Sequence, residues 1–382
     1  MHSWVELLPA LPWLAPFAVI PRLANLRPNL SDTPPVSDGL VSVIIPARNE
    51  SAVIETVLTS VLGTAYQPIE VLVVDDRSTD DTAARVAELA RADARLRLVP
   101  GAELPAGWYG KPWACLQGYR AARGELLLFT DADTRHEPEL LGRAVGARRD
   151  TGADLLTVAP HQRCETFWER IVMPQIWILL GLRYHPDRVN HARRSRDVIA
   201  NGQFILMPRT SYEAFGTHEA VRGEVAEDLA LAQTVVRGGG RLHFAFAERL
   251  METRMYHGLG PLVEGWSKNV YLGGRRSFPD EPLLRALVPV MLAVAFCFWL
   301  APPAAVLLGA IGAGPPPAAI LAGGLSALFW GLICFGMRIP PLYGLGYPLG
   351  AAVALFIAAR STIRGRRRVE WRGRTYAEPD RS

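Results

Sequence analysis

Leu40-Val41-Ser42-Val43-Ile44-Ile45-Pro46-Ala47-Arg48-Asn49-Glu50 is the stretch on which the fold turns. A short apolar run rich in β-branched residues, stopped by a polar turn, reads as a strand buried on both faces. Around it the pattern repeats. A helix is expected from Glu50 to Leu62, a strand from Ile69 to Val74 and a helix from Thr79 to about Ala92. The strand Leu96 to Val99, the helix Pro112 to Ala122 and the strand Leu126 to Thr130 follow. Alternation of this kind predicts an α/β fold: a mostly parallel sheet with flanking helices.

The first domain is expected over residues 40–280. Beyond Thr130 it should hold a strand at Asp154 to Ala159, a strand near Val198 to Met207 and a helix opening at Glu227-Asp228. Phe167 to Leu182 is apolar but short for a span, which leaves two readings: a helix in the headgroup plane of a membrane or plain core. Residues 1–27 read as an N-terminal hydrophobic anchor or interfacial helix, because Met1 to Ile20 lacks a cationic start and a small-residue cleavage site.

From Ala286 to Arg360 there is no Asp or Glu, and Arg338 is the one charge before Arg360. Residues 286–360 are therefore expected to form a C-terminal transmembrane region of two to three helices, at Ala286 to Leu308, Pro317 to Met337 and Leu342 to Arg360. The tail, residues 361–382, has seven Arg against Glu370, Glu378 and Asp380, which accounts for the whole net charge of +4. Three full crossings would put this basic tail across the membrane from the first domain, against the positive-inside bias, so two crossings and one segment that does not span are expected. A basic tail beside an apolar region suits anionic lipid, and with no other basic stripe, no nucleic-acid partner is expected. Cys115, Cys164, Cys297 and Cys334 form no C-x-x-C pair and suggest neither a disulfide framework nor a zinc site.

Open α/β sheets bind ligands beyond the carboxyl ends of their strands. Three such positions carry polar or acidic turns: Pro46 to Glu50, Asp75-Asp76-Arg77-Ser78 and Asp131-Ala132-Asp133. On extended backbone, Asp131 and Asp133 would face one divalent cation together. Asp75 or Asp76 can accept from a nucleobase and from ribose hydroxyls; Ser78 or Thr79 could cap the next helix with Asp80 and Asp81 favouring its dipole, and Asp80 and Asp81 are assigned to the cap, Asp75 and Asp76 to the ligand. A G-x-G-x-x-G after the first strand and a P-loop are both missing, which argues against dinucleotide and P-loop chemistry. Glu227 and Asp228 open a helix. They fit an acidic first turn and equally a carboxylate base at the sheet rim.

Taken as a set, Val41 to Glu50, Val74 to Asp80 and Asp131-Ala132-Asp133 resemble family 2 inverting glycosyltransferases of the GT-A fold over roughly Leu40 to Leu272. The segments Gly107 to Ala114, Gly265 to Asn269 and Val369 to Tyr376 are similar to hopene-associated and carotenoid-type membrane members of that family. The resemblance implies a donor site of Pro46, Ala47, Arg48, Glu50, Asp75, Asp76, Lys111, Asp131 and Asp133. It also implies a divalent cation (Mg²⁺ or Mn²⁺) on Asp133 and Asp131, and Asp228 as base with Glu227 beside it. Trp266 and Lys268 stand where processive members carry Gln-x-x-Arg-Trp; the departure points to transfer of a single sugar, with these two residues at the acceptor or the diphosphate.

The expected function is metal-dependent inverting transfer from a nucleotide-sugar donor, a UDP-sugar first, to a lipid or membrane-associated acceptor. The expected location is the inner cell membrane, multi-pass, with the first domain cytoplasmic. The rival readings are a polysaccharide synthase subunit and a non-catalytic nucleotide-sugar-binding scaffold.

Overall fold

The computed structural model describes residues 4–312, 314–364, 369–371 and 374–376. A 3-10 helix, Trp4–Val19, leads into α1 (Ile20–Ala24). There follow β1 (Val41–Ala47), α2 (Ile54–Leu62), β2 (Ile69–Asp75), α3 (Thr82–Ala92), β3 (Leu96–Pro100), α4 (Gly110–Ala121) and β4 (Leu126–Thr130). Next come β5 (Thr134–His136), α5 (Leu140–Thr151), β6 (Leu155–Ala159), β7 (His161–Gln162), α6 (Phe167–Arg183) and α7 (Pro186–Asn190). Then β8 (Phe204–Pro208), α8 (Arg209–Ala214), α9 (Glu227–Arg237), β9 (Leu242–Phe246) and β10 (Met251–Thr253) close the sheet domain. Last are α10 (Leu259–Arg276), α11 (Pro282–Ile311), α12 (Pro317–Gly336), α13 (Tyr347–Arg364) and the hairpin β11 (Val369–Trp371) with β12 (Arg374–Tyr376). Arg372 and Gly373 of the expected terminal motif, and most of the basic tail, lie outside the described residues.

Seven strands form one sheet in the order β3-β2-β1-β4-β8-β6-β9. Neighbours run parallel except at β8, which is antiparallel to both β4 and β6. Alternation within the strands splits the core in two. Val41, Val43 and Ile45 of β1, with Val71, Val73 and Leu128, meet α2 and α5. Ile44, Leu72, Val74, Leu127 and Phe129 meet α4 and α9 on the other face. Each fully buried aliphatic side chain contributes about 1.5–3 kcal/mol, so a register slip of one residue would expose a whole face.

Two helix starts differ from expectation. α2 begins at Ile54 rather than Glu50, because the intervening turn bonds to the next loop: Glu50 N donates to Thr82 Oγ1 (2.9 Å) and Ser51 N to Asp80 Oδ2 (3.1 Å). α3 begins at Thr82, not Thr79, and its N-cap is Asp81, one of the two residues assigned to the cap. Asp81 makes no side-chain cap; Asp80 supplies the oxygen, accepting from Thr82 N at 3.0 Å. Burial works against the Asp80 charge, yet the bonds from Thr82 and Ser51 outweigh it and hold its pKa to about 2.

Three segments, Pro282–Ile311, Pro317–Gly336 and Pro341–Arg364, are long and apolar enough to cross a membrane. At 30 residues, α11 is about 45 Å long and exceeds the ~30 Å hydrocarbon core. The N-terminal 3-10 helix joins this bundle: Ala10 packs with Ala318 and Ala322, Phe17 meets Phe329 edge-on, and Trp13 stacks on Phe298 at 4.9 Å.

The third segment behaves differently. Just before α13, Tyr343 takes a hydrogen bond from Arg170 of α6 (2.8 Å), and at its end Arg360 and Arg364 pair with Glu264 of α10 (2.8 and 2.5 Å). Between these points α13 turns Gly350, Ala351, Ala354, Ala358 and Ser361 inward. A Cβ on Gly350 would lie 2.1 Å from the Ile171 carbonyl oxygen, so α6 and α13 touch backbone to backbone. Leu349, Phe356 and Ile363, seven residues apart, face outward. Both ends of α13 are thus tied to charged residues of helices flanking the sheet domain, and its apolar stripe points away from them. α6, α10 and α13 form a platform with Ile171, Val172, Met173, Leu262 and Ile357 at its centre. Phe167 and Leu182 remain exposed at the two ends of α6.

If α11 and α12 cross and α13 stays with α6 and α10, the C-terminal end of α13 is expected on the same side as the sheet domain. Proteolysis of a C-terminal tag in sealed inverted vesicles checks this: tag and sheet domain should be cleaved together, and protection of one alone would mean that α13 crosses.

Candidate active site

The rim formed by the carboxyl ends of β1, β2 and β4 gathers most of the residues singled out from the sequence. The loop after β1 is laced to the loop after β2. Arg48 Nη1 donates to the carbonyls of Asp76 (2.5 Å) and Arg77 (3.0 Å), and Asn49 Oδ1 accepts from Thr79 N at 2.8 Å. Asn49 and Arg77 both hold positive φ, 54° and 56°, so each loop bends sharply just past its strand. Pro46 and Ala47 are the last residues of β1, and Glu50 follows the bend. Asp76 is fully buried and its N–H donates to Ala47 O (2.8 Å). Asp75 has one oxygen near Ser78 N (3.3 Å), while its Oδ1 is buried without a hydrogen-bond partner among the described residues. An orphaned carboxylate oxygen at a sheet rim fits a donor group brought by a ligand.

Beyond β4 the backbone is not extended. The strand ends at Thr130, Ala132 and Asp133 form a turn, and β5 starts at Thr134. The expected shared facing of Asp131 and Asp133 along an extended strand therefore does not apply. Asp131 instead reaches Lys111, the second residue of α4: Lys111 Nζ lies 2.8 Å from Asp131 Oδ1 and 2.8 Å from Glu227 Oε1. One ammonium thus ties together α4, the turn after β4 and the start of α9. Desolvation works against its charge, but Asp131, Glu227 and Asp228 together raise the Lys111 pKa well above its ordinary value.

Asp228 stands beside this pair. Its Oδ2 accepts from Gly202 N (2.9 Å) and its Oδ1 from Leu229 N (2.7 Å). Burial and then the neighbouring Glu227 push its pKa up to about 6. Burial also opposes ionisation of Glu227, yet Lys111 holds its pKa below the usual carboxylate value. The two adjacent carboxyls are driven apart in acidity, the pattern that separates a fixed charge from a proton acceptor. Lys268 of α10 completes the group: desolvation lowers its pKa, and it lies within electrostatic reach of Glu227, Lys111, Asp131 and Asp228. Trp266 is in the layer beneath. It is 7% exposed, with its indole N–H on Met173 Sδ (3.3 Å) and its ring edge-on to Trp177. That burial makes it a packing residue that seats α10 on α6, rather than a ring presented to an acceptor.

The sequence reading missed the support behind these groups. Because β8 runs antiparallel, Asn201-Gly202-Gln203 precede it at the rim where β4 ends. Thr130 Oγ1 donates to Gln203 O (2.7 Å) and lies 3.1 Å from His136 Nε2. Thr134 Oγ1 donates to Asp131 O at 2.8 Å. Thr253 Oγ1 donates to Asp133 O at 3.2 Å. Burial lowers the His136 pKa to about 4, so a neutral ring holds the acidic turn from behind. A Cβ on Gly202 would come within 2.8 Å of Lys111 Nζ and 3.3 Å of Asp228 Oδ2. The polar triplet ahead of an apolar strand was the available signal.

Three comparisons bear on this arrangement. A 4,4'-diaponeurosporenoate glycosyltransferase of Staphylococcus aureus (strain USA300) is 27% identical over 245 residues, which is 63% of this chain and 63% of that protein. The match thus takes in less than two thirds of the curated relative's length. Among solved structures, the mannosyltransferase PcManGT from Pyrobaculum calidifontis, in complex with GDP-Man and Mn2+, aligns over 91% of this chain and 97% of its own. Its TM-score is 0.58 at 22% identity, a likeness of fold. Glycosyl transferase family 2 matches residues 42–215, the span from β1 through α8 and less than half of the chain, and the sheet behind the acidic rim is GT-A-like.

Proposed function

We propose that the protein is a membrane-bound glycosyltransferase that moves a single sugar from a nucleotide-sugar donor to a lipid-phase acceptor, with inversion. The observation that carries the reading is the Lys111 ammonium bridging Asp131 and Glu227 at 2.8 Å each, with Asp228 held beside it by the Gly202 amide. Asp75 and Asp76 lie on the nucleoside side of that rim, with Pro46, Ala47, Arg48 and Glu50 bordering it. Lys111 and Lys268 bring positive charge to the diphosphate.

The chemistry needs a proton acceptor and a stabilised leaving group. Asp228, with its raised pKa, removes the proton from the acceptor hydroxyl. The hydroxyl oxygen forms the new bond to the anomeric carbon while the bond from that carbon to the phosphate oxygen breaks. The nucleoside diphosphate leaves with the electron pair, on the face opposite to attack. Glu227 keeps its charge and holds Lys111 in place.

The described residues contain no group of three or more His, Cys, Asp or Glu able to hold a metal by themselves. That fits a Mg²⁺ or Mn²⁺ of the donor complex, which takes one or two carboxylates and fills its other positions from phosphate oxygens and water. Asp133 would be its chief ligand, with Asp131 beside it already paired to Lys111. When bound, the cation neutralises charge on the diphosphate. The Mn2+ and GDP-Man of the Pyrobaculum calidifontis complex support this, and leave the base open between a UDP-sugar, expected first, and GDP-mannose.

A lipid-phase acceptor is supported by the apolar stripe of α13 and by the diaponeurosporenoate in the name of the Staphylococcus aureus relative. The cytoplasmic face of the cell membrane is supported by the Arg-rich tail following α13, on the side where positive loops are retained.

Titration of the detergent-purified protein with UDP-sugars and GDP-mannose, with Mn²⁺ or EDTA, is the test. Binding of one donor that EDTA weakens at least tenfold is expected; no binding of any donor to folded protein overturns the reading. Asp133→Asn should lose metal-dependent donor binding. Asp228→Asn should retain it and lose about 10²–10⁴-fold in turnover. Equal donor loss in both variants would refute the division of roles. Because Asp228 must be unprotonated to act, kcat/KM should fall as pH drops through about 6, well above an ordinary aspartate. A profile flat down to pH 5 would exclude Asp228 as the base. Lys111→Met should weaken donor binding and also lower the melting temperature. Removing one partner of a buried ion pair costs about 3 kcal/mol, and Lys111→Met/Glu227→Gln should recover part of it.

A further inference from the structure

A basin of about 500 Å³ opens at the root of α11, lined by Arg193, Arg194, Arg196 and Arg237 together with Asp280 and Glu281. Its acids are spent within its own wall. Asp280 takes hydrogen bonds from Ser195 Oγ (2.8 Å) and Arg237 (3.3 Å), and Glu281 pairs with Arg196 at 2.5 Å. Arg193 and Arg194 are exposed and have no carboxylate partner among the described residues, leaving the basin a surplus of two positive charges.

The wall is firmly built. Arg183, at the end of α6, donates to the carbonyls of Arg196 (2.5 Å) and Ser277 (2.9 Å), and its guanidinium lies over the rings of Tyr184 and Phe278. Depth comes from the sequence: Glu281 is the N-cap of α11, so the arginines sit where the apolar run of that helix begins. Directly beyond, Leu283, Leu287, Val290 and Val294 are exposed on α11, a stripe at helical spacing running away from the basin. Guanidinium groups match phosphate oxygens bidentately, and cationic side chains at this depth meet the headgroup layer.

We propose that this basin binds the phosphate of an anionic phospholipid, whose acyl chains lie along the Leu283–Val294 face of α11. The apolar stripe argues for a lipid over free phosphate, since inorganic phosphate would use the arginines alone. The site is separate from the donor rim: Arg237 closes α9 at one end, and Glu227 and Asp228 open it at the other. A bound lipid there fixes the height of the sheet domain on the bilayer.

The test uses the full chain in detergent, titrated with phosphatidylglycerol and with phosphatidylcholine and read by native mass spectrometry. Phosphatidylglycerol should be retained and phosphatidylcholine should not. R193E/R194E should lower phosphatidylglycerol affinity about thirtyfold or more, and R193Q/R194Q, which keeps polarity if the charge reversal misfolds, should lower it less. R91E/R97E, a charge-matched change on α3 and β3 at the opposite edge of the sheet, should leave it unchanged. Millimolar inorganic phosphate should not displace the lipid. Unaltered retention in both Arg193 and Arg194 variants, equal loss in R91E/R97E, or displacement by inorganic phosphate alone would each overturn the proposal.

Discussion

One ammonium group holds the working end of this molecule together. Lys111 arrives from α4, Asp131 from the turn after β4 and Glu227 from the first turn of α9, and none of these elements is adjacent in sequence to another. In a poorly solvated setting such a three-membered cluster is costly to break, because removing one member strands the charge of the others. The sheet topology makes the cluster reachable. β4 lies beside β1 at the centre, and α4 and α9 cover the same face. Asp228 takes its character from that arrangement: burial and Glu227 raise its pKa, while the Gly202 and Leu229 amides keep its carboxylate directed.

Behind the cluster is a second, uncharged layer. Thr130, Thr134, His136, Gln203 and Thr253 satisfy one another and the backbone of Asp131 and Asp133. A fully satisfied buried network of this kind gives a loop one conformation where bare packing would permit several. The antiparallel β8 is what inserts Gln203 into it, so the single departure from parallel order in the sheet is also the one that supports the acidic turn.

Much of this was legible before any coordinates. β1, β2 and β4 announce themselves as apolar runs, interrupted only by Ser42 and Glu70, because they are buried on both faces, and the acidic turns after β2 and β4 stand out against them. The departures are those a one-dimensional pattern cannot resolve. The end of β4 at Thr130 is legible, but the path of Asp131-Ala132-Asp133 beyond it is not, because the turn at Ala132 and Asp133 depends on β5 pairing with β10 far along the chain. His136 and Gln203 looked unremarkable because their roles depend on elements scores of residues away. Trp266 sits where the sequence suggested an acceptor contact, but helical phase turns it into the platform. For the third apolar segment, composition supports a span, and what composition does not show is that Arg360 and Arg364 tie its end to Glu264 of α10.

The packing of the N-terminal helix has a consequence for how the chain is made. Trp4–Val19 rests against α12, whose first residue lies about 300 positions later. At roughly 5–20 residues per second, a ribosome leaves that helix without its partner for about 15–60 s. During that interval Ala10, Trp13 and Phe17, which pack on the later helices in the finished fold, need lipid or the insertion machinery as a substitute. The bundle can close only once α12 has been translated, by which time the sheet domain between the two helices has had time to fold. Biogenesis therefore runs from the sheet domain outward, and Trp4–Val19, made before that domain, is seated after it.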